Sequence, residues 1–128
     1  MMKVQVVAVV IKDQNKFLLG KRSLSKKSAP GYWCPVSGKI EIGEMEQEAV
    51  VREVFEEVNL VVVAKSKLGI FDTRDRSAMI HWWLVDVVSG EPSLKNDEHS
   101  ELRWFSISEM EILENVFSED IELFKTLV

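Results

Sequence analysis

Glu53, Glu56 and Glu57 are spaced three and four residues apart, so a helix through them gathers three carboxylates within an arc of roughly 100°. Like charges held that close repel one another, and divalent cations placed among them relieve the repulsion most simply. Carboxylate oxygens are the hard donors that magnesium takes. The chemistry such a group could serve is therefore that of bound divalent metal ions, although acidic helices without a metal are common.

Those carboxylates need a scaffold, and the neighbouring residues supply one. The pattern predicts a helix from Glu44 to Val58, with Val50, Val51, Val54, Phe55 and Val58 on an arc roughly opposite the glutamates. One face would pack on a core while the other stays acidic. Asn59 stands where a left-handed C-terminal cap belongs. Before the helix, Val4 to Ile11 is rich in β-branched residues and predicts a buried strand. Asp13-Gln14-Asn15 supplies a turn, and Lys16 to Gly20 the returning strand. Ser23 to Gly31 reads as an exposed polar loop leading through Tyr32-Trp33-Cys34-Pro35-Val36 to Gly38. After the helix, Leu60 to Ala64, Leu68 to Phe71, Ala78 to Val88 and Leu102 to Phe105 read as strands, with Trp82 and Trp83 on opposite faces. Ser106-Ile107-Ser108-Glu109 has the form of a capping box, and Ser118 to Leu127 predicts a final amphipathic helix. The fold class expected is α/β (α+β), a mixed sheet covered on both faces.

The bulk composition narrows the function. With 128 residues, 46% of them hydrophobic, the chain suits a single domain over residues 1–128. A net charge of −5 argues against broad attraction to a nucleic acid polymer or an anionic membrane. The apolar start is too short to span a bilayer, and the lone Cys34 excludes an internal disulfide. A cytoplasmic location is expected, with Cys34 a packed thiol. Nothing in the sequence sets an oligomeric state.

Gly38, Glu44 and the run Arg52-Glu53-Val54-Phe55-Glu56-Glu57-Val58-Asn59-Leu60 resemble the Nudix box. The family pattern has glycine where this chain has Asn59. The order of strands and helices is similar to the family over nearly the whole chain, and its small MutT-like members are the nearest in kind. The resemblance implies an α/β/α sandwich and hydrolysis of a nucleoside diphosphate linked to a group X, with Mg2+ as cofactor and Mn2+ as a substitute. It implies Glu53, Glu56 and Glu57 as metal ligands, with the Gly38 carbonyl as a further one. Arg52 would orient a glutamate through a bidentate ion pair, and Glu44 would brace the loop before the helix as structural support. Glu41, Glu46 and Glu48 lie outside the defined positions and read as solvated.

The catalytic base has three candidates: Glu98, placed before Trp104 as in MutT-like members, Glu101, and Glu53 within the box. His99 reads as a bystander in the same loop, and His81 as packed or hydrogen-bonded within its strand. Arg22 and Lys39 are candidate phosphate contacts. Tyr32, Trp33, Phe71, Trp82 and Trp83 could stack on a base or a pterin, although core packing is the plainer role for each. Val36-Ser37-Gly38 resembles the Val-Thr-Gly of dihydroneopterin triphosphate pyrophosphatases, and the short chain resembles nucleoside triphosphate pyrophosphohydrolases. The expected partner is a small nucleotide, a (deoxy)nucleoside triphosphate first. A dihydroneopterin triphosphate, another nucleotide conjugate and a non-catalytic nucleotide-binding module are the alternatives.

Overall fold

The computed structural model describes residues 3–128. Strand β1 (Val4–Asp13) turns through Gln14 into β2 (Lys16–Arg22), and β3 (Trp33–Cys34) and β4 (Val36–Lys39) precede helix α1 (Glu46–Val58). The long strands β5 (Val61–Asp72) and β6 (Ala78–Ser89) follow, then β7 (His99–Ser106), α2 (Ile107–Glu111) and α3 (Ser118–Lys125).

β1 organises the sheet. It runs parallel to β6 from Val4 opposite Ala78 to Ile11 opposite Val85. It runs antiparallel to β4, with Val7 opposite Gly38, and to β2 through the tight turn. β5 closes one edge against β6, while β2 carries β3 and β7. The sheet is mixed, as expected, and helices cover both faces.

A strand buried on both faces has no polar side to show, which is why β1 reads as one apolar run. Val7, Val9 and Ile11 point to a core shared with Val50, Val54, Val58 and Leu60 of the α1 region. Ala8 and Val10 point the other way, toward Phe17, Trp33, Trp82, Phe105, Met110 and Phe124 beneath α2 and α3. Phe17 stacks on Phe124 at 4.7 Å. Trp82 and Trp83 divide between the two cores as alternation requires.

Several boundaries differ from the sequence reading. α1 begins at Glu46, with Met45 as its N-cap, and Glu44 lies in the turn before it. Glu48 accepts the Met45 N–H at 2.8 Å, so the helix start is capped from within its own first turn. Val51 and Phe55 lie on the rim of the apolar face, 37% and 44% exposed, while Val50, Val54 and Val58 are fully buried. Each fully buried valine contributes roughly 1.5 kcal/mol or more. Repulsion between exposed like charges one turn apart costs only about 0.2–0.5 kcal/mol. Packing therefore holds α1 together in spite of its acidic face. Asn59 adopts φ 61°, ψ 34° and donates its N–H to the Phe55 carbonyl, the left-handed cap expected of it.

The two strands expected between Leu60 and Phe71 are one edge strand, kept continuous by register shifts at Ala64/Ser66 and Lys67/Gly69. β7 begins three residues earlier than expected, at His99, and α3 ends at Lys125. No described helix is long and apolar enough to cross a membrane.

Candidate active site

Gly38 and Glu53 meet where β4 passes α1. A Cβ built on Gly38 would collide with the Glu53 carboxylate, so only glycine lets that acid lie against the sheet. Arg52 holds the same region from the other side. Its Nε and Nη2 donate to the two oxygens of Glu44 at 2.7 and 2.9 Å, its Nη1 to Glu53 at 2.8 Å, and Nη2 also to the Lys39 carbonyl at 3.0 Å. Glu44 in turn accepts the Glu41 N–H at 3.0 Å. One planar guanidinium thus ties the turn before α1, the end of β4 and the first acid of the helix.

Glu57 lies one turn beyond Glu53 and is 3% exposed. The two carboxyl groups are close enough to act on one another's ionisation. Burial, and then the Glu57 neighbour, push Glu53 up to about 8. Burial pushes Glu57 up to about 7, and the nearby Glu98 charge adds to it. Both acids are thus harder to ionise than exposed glutamates. Glu56 stands apart, half-exposed, with Arg52 Nη1 at 3.3 Å.

His99 completes this buried group. Its Nε2 lies 2.9 Å from Glu57 Oε1, and both side chains are only 3% exposed. Strict alternation along β7 would put His99 on the face of Glu101 and Arg103. The pairing instead jumps from Lys21–Glu101 to Arg22–His99, and that bulge at Ser100 turns His99 toward α1. Gly20 makes the room, since a Cβ there would strike the imidazole. Burial, the largest cause, together with the Arg22 charge, lowers the His99 pKa and favours the neutral ring.

The other expected residues divide. Glu98 sits at the rim in an ion pair with Lys26, close enough that its charge acts on Glu57. Glu101 is on the opposite face and pairs with Arg103 at 2.7 Å, away from the carboxylates. Arg22 donates Nε to the Ser28 carbonyl at 2.8 Å, and its charge reaches Glu57 and His99. Lys39 leaves Gly38 toward solvent. Ser23 joins the two loops around the rim, donating Oγ to the Asp97 carbonyl at 2.6 Å. Between them is an open cavity lined by Ser25, Lys26, Asn96, Asp97 and Glu98.

Three readings from sequence are corrected here. His99 is not a loop bystander but a buried partner of Glu57, and the bulge that turns it inward has no signature in the local pattern. Lys26, read only as part of a polar loop, faces the site through Glu98. Glu46 is not solvated either. It accepts from Trp83 Nε1 at 2.9 Å and lies 2.9 Å from Lys67 Nζ, which also meets His81 Nδ1 at 3.1 Å. Trp33 and Trp82 are core residues, and Tyr32 stacks on Phe117 at 4.6 Å. Cys34 is buried and its thiol pushed up to about 12, the packed thiol expected.

Among the described residues, no three His, Cys, Asp or Glu side chains converge closely enough to hold a metal ion as they stand. The donor chemistry nevertheless fits a hard divalent cation. Glu53 and Glu57 are oxygen donors one turn apart, Glu53 lies against Gly38, and burial disfavours a negative charge on either acid that a bound cation would offset.

The NUDIX domain family model matches residues 1–127. An ADP-ribose pyrophosphatase of Methanocaldococcus jannaschii is 35% identical over 107 residues, which is 79% of this chain and 60% of that protein. A CTP pyrophosphohydrolase of Escherichia coli is 29% identical over 85% of the chain and 80% of its own length. The crystal structure of a MutT protein from Methanosarcina mazei superposes with a TM-score of 0.81 at 24% identity, covering 97% of this chain and 91% of that one, a likeness of fold. The chain belongs to the Nudix hydrolase family. Members of that family act on pyrophosphate bonds and generally use divalent metal ions.

Proposed function

We propose that this chain hydrolyses the pyrophosphate linkage of a (deoxy)nucleoside triphosphate, releasing the monophosphate and inorganic pyrophosphate, with Mg2+ as cofactor and the cytoplasm as its compartment. The observation that carries the reading is the pair of a buried Glu57 and a partly buried Glu53, the latter set against Gly38 and clamped by Arg52, both with raised pKa values. Family membership supports the reaction class. The relative named as a CTP pyrophosphohydrolase, matched over most of its length, supports a triphosphate. The partner is a small nucleotide, and neither a nucleic acid polymer nor a membrane is required.

Glu53 and Glu57 would hold the metal, with the Gly38 carbonyl beside them and Glu56 next along the helix. Bound there, Mg2+ supplies positive charge for the phosphoryl oxygens and makes water a better nucleophile. Arg52 keeps Glu53 oriented and Glu44 keeps Arg52 in place, so the acids present fixed oxygens to the substrate. Arg22 and Lys26, whose charges reach Glu57, and Lys39 beside Gly38 draw in and orient the polyphosphate. Glu98 is the base assigned to the attacking water: it lies at the open rim, its charge acts on the pair, and it can exchange Lys26 for a proton. Glu53 is its rival.

A second reading rests on the relative named as an ADP-ribose pyrophosphatase, in which the bond cut joins two phosphates of a diphosphate conjugate. A panel of nucleoside triphosphates, dihydroneopterin triphosphate and ADP-ribose, incubated with Mg2+ and resolved by product, separates the two. Inorganic pyrophosphate as product is expected. AMP with a sugar phosphate from ADP-ribose alone would replace the triphosphate reading, and nucleotide binding without turnover would leave a binding module.

A further inference from the structure

Between β6 and β7 the chain runs through residues 90–98 without strand or helix and ends at Glu98. An exposed connection of this length is ordinarily loose, yet this one is fastened near both ends. First it lies on the end of α1. Ser93 donates its N–H to the Val58 carbonyl at 3.0 Å, and its Oγ accepts from Asn59 Nδ2 at 3.3 Å. Lys95 then sets its ammonium 3.3 Å from the centre of the Phe55 ring, on the rim of the same helix. At the other end, the peptide unit joining Asp97 to Glu98 is bonded on both sides. Its carbonyl accepts from Ser23 Oγ at 2.6 Å, and its N–H donates to Asn96 Oδ1 at 3.0 Å. The Ser23 N–H donates to the next carbonyl, that of Glu98, at 3.1 Å. Glu98 is thus flanked by two fixed peptide units, and only its side-chain torsions remain free.

We propose that this connection is a strap that sets Glu98 against the acids of α1, with Ser23 and Lys95 as positioning residues at its two clasps. The proposal rests on the reading of Glu98 as the base given above. A base works only within hydrogen-bond reach of the water it activates, and a displacement of about 1 Å can cost roughly 100-fold in rate. One clasp refers the strap to the helix that carries Glu53 and Glu57. The other refers it to the end of β2, beside Arg22. Glu98 is thereby located against both the acids and the cations of the site. Lys95 and Phe55 both stay exposed, and an exposed pair of this kind is a weak source of stability.

Two measurements on the full chain test it. In the metal-free protein, the backbone 15N order parameters of Asp97 and Glu98 should match those of a rigid strand, about 0.85. They should fall in Ser23→Ala and in Lys95→Met. Ser23→Thr and Lys95→Arg, which keep the hydroxyl and the cation, should restore them. A segment already mobile in the unsubstituted protein, or one left equally ordered by both losses, would overturn the proposal. With Mg2+ and the preferred triphosphate, kcat should drop roughly five- to tenfold in Ser23→Ala and roughly two- to fivefold in Lys95→Met, with KM little changed. Added to Glu98→Gln, the same two substitutions should lower kcat no further. An equal fall in that background means they act elsewhere and overturns this inference alone. Full turnover in Glu98→Gln overturns the reading of Glu98 as the base, and this inference with it. Thermal melts show which variants are folded, and Lys95→Met, at an exposed position, carries the test should Ser23→Ala not fold.

Discussion

Helix α1 carries two partly or wholly buried acidic groups, two turns apart, and they are treated in opposite ways. At its start, Glu46 is met by Lys67 and by the Trp83 indole N–H, while His81 is held between Lys67 and Gln5 at 3.1 and 2.7 Å. There burial is outweighed by hydrogen bonds and charge, and the Glu46 pKa is lowered. Further along, Glu53 and Glu57 share one Arg52 contact and a neutral histidine, and both pKa values are raised. The same helix can thus satisfy a buried acid completely. At Glu53 and Glu57 it does not, and that deficit distinguishes a site from a structural network.

Breaking the clamp should have the largest effect. Arg52→Ala leaves Glu44 and Glu53 without their cation and should cost about 2–4 kcal/mol in denaturant unfolding, together with most of the activity. Arg52→Lys keeps the charge but loses the fork, and should fall between. An Arg52→Ala protein of normal stability would mean the ion pairs are superficial.

Titration should sharpen the contrast next. Glu53 and Glu57 have folded-state pKa values of about 8 and 7, above their ordinary 4.5, and so bind more protons folded than unfolded as pH rises. Asp120, partly buried on the far side and pushed up to about 7 by desolvation, acts in the same direction. His99, lowered below 6.5, opposes them only below that value. Stability of the metal-free protein should therefore fall between pH 6.5 and 8. Asp120→Asn should remove part of that slope and Mg2+ a further part. A flat profile over that window would contradict the raised pKa values of Glu53 and Glu57.

The smallest effect belongs to the satisfied group. Glu46→Gln keeps an acceptor for Trp83 and loses only the Lys67 ion pair, so thermal melts should show a loss of less than about 1 kcal/mol, with unchanged turnover. A large loss of activity would move the site toward the start of the helix.

How much of this could be read from the chain alone follows the range of each signal. The spacing of Glu53, Glu56 and Glu57, the valine arc and the Asn59 cap are local, and the structure keeps all three apart from the rim positions of Val51 and Phe55. The Gly38–Glu53 contact was legible only through the family likeness. His99 and Glu46 were misread because their partners lie far along the chain, 42 residues away at Glu57 and 37 at Trp83. Strand alternation even points His99 the wrong way, since a bulge shifts side chains without altering residue types. Glu101 falls to the same rule, applied correctly.

Glu57→Gln tests the central claim most directly, because the two consequences of an unsatisfied functional acid run in opposite directions. Removing the charge should raise the melting temperature of the metal-free protein at pH 8, since Gln can still hydrogen-bond with His99. The same substitution should lower Mg2+-dependent turnover of the preferred triphosphate roughly 100-fold or more. Turnover within a few-fold of the unsubstituted protein, or a lowered melting temperature under those conditions, would contradict it.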